Sequence, residues 1–160
     1  MTAARPAGGI PACGDEVSGR LVTAAYDVIA ARYVLARHQI GAVLLDADGE
    51  LHAGLHLDAM VGRAAVCAEA GALSAARLAT QAPLIAVAAV RYPKPTETGP
   101  ARIVPPCGLC RELLLDYAPG LQVVIPINGY GQAAALASLL PHKYVGTKWP
   151  APSGAGPATN

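Results

Sequence analysis

Apolar residues recur at helical spacing from Glu16 to about Leu35. Leu21, Val22, Ala25, Val28, Ile29 and Tyr33 fall on one face, with Arg32 at its edge and its charge in water. That spacing predicts an amphipathic helix. Ile40 to Leu45 is a short apolar run, Asp48-Gly49 reads as a turn, and Leu51 to Leu57 follows, which together predict a hairpin. Ala64 to Leu78 is dominated by Ala, with Leu73 and Leu78 among it, and predicts a second helix. Leu84 to Val90 predicts a buried strand, and the five prolines between Tyr92 and Pro106 a loop. A helix opens at Cys107 or Gly108 and runs through Tyr117, stopped by Pro119-Gly120. Val123 to Ile127 predicts a strand and Ala133 to Leu140 a last helix before Pro141. Elements in this order predict one three-layer α/β/α domain over residues 16–149. Residues 1–15 and 150–160, rich in Ala, Gly, Pro and Thr, are expected to be flexible tails. There is no internal repeat.

Composition narrows the partners. With 53% apolar and 14% charged residues in 160, the chain suits a single core, and its excess of apolar surface suggests burial between subunits. A net charge of +1 without a basic run argues against a nucleic-acid backbone as partner, so a small molecule is expected. No apolar run reaches the roughly 18 residues of a membrane span. Nothing near Arg5 reads as a secretion signal, so the expected compartment is the cytoplasm, where clustered cysteines read as metal ligands or catalytic groups.

Two segments carry chemistry: Val66-Cys67-Ala68-Glu69 and Pro105-Pro106-Cys107-Gly108-Leu109-Cys110-Arg111. Each sits at the start of a predicted helix, where free N–H groups and the positive dipole end favour thiolate. Cys107 and Cys110, one helical turn apart, can grip one ion, and Cys67 from another helix supplies a third sulfur, leaving a fourth position for water. Glu69, two residues past the first ligand, is close enough to take a proton from that water. Arg111, directly after the last ligand, is placed to hydrogen-bond a thiolate and drain some of its charge.

The order of ligand, any residue, Glu, and later Pro-Cys-x-x-Cys is the signature of zinc deaminases. On these residues the chain resembles the cytidine deaminase family, in its small homo-oligomeric branch with three cysteine ligands. The resemblance extends to Ile40-Gly41-Ala42-Val43-Leu44 and Gly54-Leu55-His56-Leu57-Asp58. Arg111 to Gly120 and Leu139 to Val145 look especially like the blasticidin-S deaminase branch. It implies a mixed central sheet, a Zn2+ cofactor, and a homotetramer or dimer. It also implies hydrolysis at C4 of a cytosine-type nucleoside such as cytidine, deoxycytidine or blasticidin S. Glu69 would protonate N3 and then the departing ammonia. The N–H of Ala68 would meet the ring O2, and the carbonyl of Pro105 would receive the leaving amino group.

The chain departs from the family where the sugar binds. The usual Asn-x-Glu is His56 and Asp58 here; an aromatic neighbour of the substrate is replaced near His38; and the usual Arg after the glutamate is Ala70. Both His56 and Asp58 still hydrogen-bond hydroxyls. Tyr144 stands at the family's place for an aromatic that reaches a neighbouring subunit's pocket, and Trp149 could act similarly. Residues alone leave other readings open: a structural zinc site completed by Cys13 or a histidine, a disulfide, Glu69 and Arg111 as surface groups, Asp58 as a turn former, and Tyr144 as interface packing. A deaminase of another amino-heterocycle and a non-catalytic zinc-stabilised binding protein also stay open. Cys13 reads as an incidental thiol, and His52 and His142 as solvated.

Overall fold

A computed structural model of the protein describes residues 9–149; the expected tail at 150–160 and the first eight residues of the tail at 1–15 lie outside the described residues. Helix α1 spans Glu16–Arg32. Asp15 caps it, accepting from the Ser18 N–H at 2.8 Å and the Ser18 hydroxyl at 2.7 Å, while Glu16 and Arg32 complement the dipole at either end. Its buried stripe of Leu21, Val22, Ala25, Tyr26 and Ile29 lies against one face of the sheet.

Strand β1 (Ile40–Asp46) is buried along nearly its whole length because both its neighbours and both helical layers cover it. It pairs antiparallel with β2 (Leu51–Leu55) on one side and β3 (Leu84–Arg91) on the other. Strand β5 (Gln122–Ile127) runs parallel to β3, and β6 (Tyr130–Ala135) antiparallel to β5, giving the order β2-β1-β3-β5-β6. A two-residue strand, β4 (Arg102–Ile103), shares β3 with β5 by pairing only at Val90 and Arg91, within the stretch expected as loop. Helices α2 (Ala68–Ala79) and α3 (Gly108–Tyr117) pack through Leu73, Ala76, Leu114 and Leu115 on the opposite face from α1. The result is three layers around a mixed sheet, the α/β/α class expected.

Several local expectations are corrected. The last helix, expected over Ala133 to Leu140, is instead the end of β6 followed by a 3-10 turn at Leu136–Leu139. Alanine's helix propensity yields there to a hairpin turn at Asn128-Gly129, whose φ angles of 49° and 85° are those an Asn-Gly pair tolerates. Helix α2 begins at Ala68 rather than Ala64, since Val66 pairs with Leu57 as an isolated bridge. His52 is not solvated: its Nε2 lies 2.8 Å from Asp46 Oδ2. Asp46, 1% exposed, also accepts from the N–H groups of Asp48 and Glu50, which ties off the β1–β2 turn. Residues 12–14, expected to be part of a loose tail, run beside β6, with Gly14 N–H on the Gly131 carbonyl at 2.9 Å and Gly131 N–H on the Ala12 carbonyl at 2.8 Å.

Candidate active site

The amino ends of α2 and α3 converge. Cys67 and Cys107 are the N-cap residues of the two helices, both with extended backbone, and Cys110 lies in the first turn of α3. Their sulfurs lie within 4.8 Å of one another, and those of Cys67 and Cys107 are 3.7 Å apart. An ion holding sulfurs tetrahedrally at ~2.3 Å would set them ~3.8 Å apart, so the spacing fits zinc. The three are the whole of this ligand group among the described residues. Cys13 cannot complete the set: it packs with the α1 core on the far face of the sheet, whereas Cys67 and Cys110 pack with the α2–α3 core.

The sulfurs differ in their readiness to ionise. Burial raises the Cys67 thiol, and burial with the nearby Glu69 carboxylate raises Cys110 strongly. Burial also pushes Cys107 upward, but the backbone N–H of Cys110 and the two neighbouring sulfurs outweigh it and lower its pKa overall. Cys107 is also the exposed sulfur of the three.

Glu69 is 5% exposed, and its Oε2 lies 3.7 Å from the Cys110 sulfur. Burial holds its carboxyl above the usual carboxylate range, partly offset by its own N–H, the Cys110 thiol and His56. A buried carboxylate with no cation paired to it is costly for folding, and so its placement beside three sulfurs calls for a chemical reason. The N–H of Ala68, in the first turn of α2, has no acceptor within the helix.

Strand β2 approaches from the other side. Gly54 has no room for a side chain, because a Cβ there would collide with the Ala68 carbonyl and the Ala72 backbone. That contact, invisible in the spacing of the motif, sets the start of α2 directly on β2. Two residues on, His56 has a buried Nδ1 without a hydrogen-bond partner among the described residues. Its carbonyl lies 3.0 Å from Nδ1 of His38, so the two histidines expected near a substrate are neighbours. Asp58 is exposed and its carboxylate accepts from the N–H of Ala59 at 2.8 Å. Pro105 is exposed beside the buried Pro106, and Tyr144 is 79% exposed with its ring beside Gly146.

Arg111 does not take the expected place on a thiolate. Its Nε donates to the Pro106 carbonyl and its Nη1 to the Leu139 carbonyl, both at 2.8 Å. A cavity of about 370 Å³ between α2 and α3, lined by Leu73, Arg77, Leu113 and Tyr117 among others, contains none of these groups.

No protein-family model matches the chain. It is 38% identical over 125 residues to the blasticidin-S deaminase of Bacillus cereus, covering 78% of this chain and 89% of that protein. It is 32% identical over 108 residues to a cytidine deaminase of Halalkalibacterium halodurans, covering 66% of this chain and 76% of that one. Among solved structures, the cytidine deaminase of Mycobacterium tuberculosis superposes with a TM-score of 0.67 at 26% identity, over 82% of this chain and 99% of the other.

Proposed function

The chain belongs to the cytidine deaminase family, and on that premise we propose that it hydrolyses the exocyclic amine of a cytosine-type nucleoside, releasing ammonia and the uracil-type product. One observation carries the reading: three sulfurs gathered at two helix ends, with a buried carboxylate 3.7 Å from one of them. Cys67, Cys107 and Cys110 would hold the metal. Zinc, when bound there, supplies the Lewis acidity that makes a water acidic enough to attack ring C4.

Glu69 would take a proton from the attacking water and deliver it to N3 as the C4–O bond forms, then carry the proton of the resulting C4 hydroxyl to the amine, so that the C4–N bond breaks as the C4 carbonyl forms. Burial raises its pKa above the ordinary carboxylate value, the direction that favours a group that both accepts and releases protons. The Ala68 N–H orients the ring through O2, and the Pro105 carbonyl receives the amino group. Being backbone groups, these two contacts do not depend on side-chain identity. His56, Asp58 and His38 would face the sugar or its replacement, and Tyr144 would cover the ring, from its own subunit or a neighbouring one.

The proposed assembly is a homotetramer, with a dimer as the alternative. Its support is the apolar surface one chain leaves open, including Met60 (100% exposed), Leu78 (88%) and Leu109 (73%). No helix among the described residues is long and apolar enough to cross a membrane, and a cytoplasmic setting is proposed.

Loss of ultraviolet absorbance with cytidine, deoxycytidine, cytosine and blasticidin S, measured beside zinc content, tests the function. Turnover of at least one nucleoside is expected. A zinc-loaded protein inert on all four, but releasing ammonia from an aminopurine or pterin, would transfer the chemistry to another heterocycle. Inertness on every compound would favour a binding protein.

A further inference from the structure

We infer that Arg111 is a positioning residue: it joins the Pro105–Pro106 wall of the site to a C-terminal arm, residues 136–149, that α3 holds along its length. The inference rests on the proposed function for its consequence in catalysis, but the brace itself stands on geometry.

Pro105 and Pro106 have no N–H, so the segment leading into Cys107 cannot be pinned by donors of its own. The carbonyl of Pro106 is held instead by Nε of Arg111, and the same guanidinium reaches Leu139, the last residue of the 3-10 turn, through Nη1. A planar, permanently charged fork serves two separate carbonyls at once; a lysine ammonium, a compact point charge, lacks that fixed geometry.

One residue further along α3, Glu112 takes up the arm again. Lys143 Nζ lies 2.9 Å from Glu112 Oε2 and 2.8 Å from Asp116 Oδ1, and also donates to the Tyr144 carbonyl at 3.1 Å. At the end of the helix, Tyr117 meets Trp149 edge-on with ring centroids 6.5 Å apart. The arm thus lies along α3 at residues 111, 112, 116 and 117. Tyr144, proposed to cover the substrate, sits between the Lys143 and Trp149 anchors. The helix that carries two of the three sulfurs therefore also sets where the aromatic stands relative to the Pro105 carbonyl. Arg111 acts through these neighbours and not on the reacting atoms.

The test uses the full-length, zinc-loaded protein and the variants Arg111→Gln, Arg111→Lys, Lys143→Ala and Lys143→Arg. Trp149 is the chain's one tryptophan, so its quenching by acrylamide reports the arm without any reference to activity. For Arg111→Gln the expected result is unchanged zinc content, easier quenching of Trp149, and a KM raised about tenfold or more with kcat within about threefold. Lys143→Ala should move both readouts the same way by a smaller factor, and Lys143→Arg should restore them. Because Glu112 and Asp116 are partly exposed, high salt should push the wild type toward Lys143→Ala.

Zinc loss in Arg111→Gln, or a fall in kcat at constant KM, would overturn the inference in favour of direct support of a thiolate. Unchanged Trp149 quenching in both Arg111→Gln and Lys143→Ala would overturn it outright. If Arg111→Gln does not fold, easier Trp149 quenching in Arg111→Lys and Lys143→Ala supports the inference, and unchanged quenching in both overturns it. A wild type that turns over no nucleoside defeats the proposed function, and Trp149 quenching then decides the brace by itself.

Discussion

The sulfur of Cys110 stands 3.7 Å from Oε2 of Glu69, in a pocket where the thiol is 1% and the glutamate 5% exposed. The group proposed as proton carrier would thereby be held against a sulfur proposed as ligand, at the cost of burying a carboxylate. Glu69→Gln should keep the metal and lose on the order of 10²–10⁴ in kcat. The metal-free variant should also melt higher than metal-free wild type. A carboxyl whose folded pKa is raised by burial destabilises increasingly as pH rises above 4.5, its ordinary value, and a neutral amide does not. Equal turnover in the variant, with zinc present, would remove Glu69 from its role.

Metal binding should release protons. Burial raises the thiols of Cys67 and Cys110, and both must ionise to bind, so apparent zinc affinity should climb with pH through neutrality. Calorimetry in two buffers of different ionisation enthalpy should show more than one proton released per zinc. Cys107→Ser should weaken binding and remove about a third of the sulfur-to-metal absorption of the cobalt-substituted protein, one sulfur of three. Pronounced sulfur absorption at unchanged intensity would exclude Cys107 as a ligand.

The turn closed by Asp46 and His52 lies at the opposite end of β2 from His56. His52→Ala should lower the melting temperature by several degrees and leave kcat per folded molecule alone. Asp46 is held below the usual carboxylate range by its hydrogen bond from His52, against burial, and by the N–H groups of Glu50 and Asp48. Its stabilisation is therefore complete above 3.8 and disappears as pH falls through the lower folded value. Acid titrations of Asp46→Asn should show a shallower loss of stability in that window. An unchanged acid limb would assign the stabilisation elsewhere.

Gly54 and Gly49 make a matched pair of substitutions. Gly54→Ala forces a Cβ into the backbone of α2 and should cost about 3 kcal/mol or more in urea unfolding. Gly49→Ala, at φ 90° with open space around it, should cost only about 1 kcal/mol. Comparable losses at both sites would mean that α2 does not bear on β2 as closely as described.

How much of this could be read in the sequence depends on the range of each interaction. The stripe of α1 and the apolar run of β1 are local patterns, and both appear where periodicity puts them. So does the opening of α3 at the cysteine pair. The spacing of Cys67, Cys107 and Cys110 also anticipated three sulfurs close together, because helix starts orient their first residues in a limited way. Sequence pattern and structure part where a distant partner outweighs local preference. Ala133 to Ala135 are good helix formers held as strand by β5, although Asn128-Gly129 was a legible hairpin signal. Arg111 follows Cys110 in the sequence, but its partners include Leu139, which lies 28 residues away. The closeness of Gly54 to Ala72 depends on a packing distance that no one-dimensional pattern records.

Cys67 and Cys107 are 40 residues apart, and all of β3 lies between them. Neither half of the polypeptide could coordinate an ion with three sulfurs by itself: everything before β3 contributes one, and everything after it two. A cation would accordingly arrive as a clasp on a sheet already assembled, rather than as the seed around which the chain first gathers.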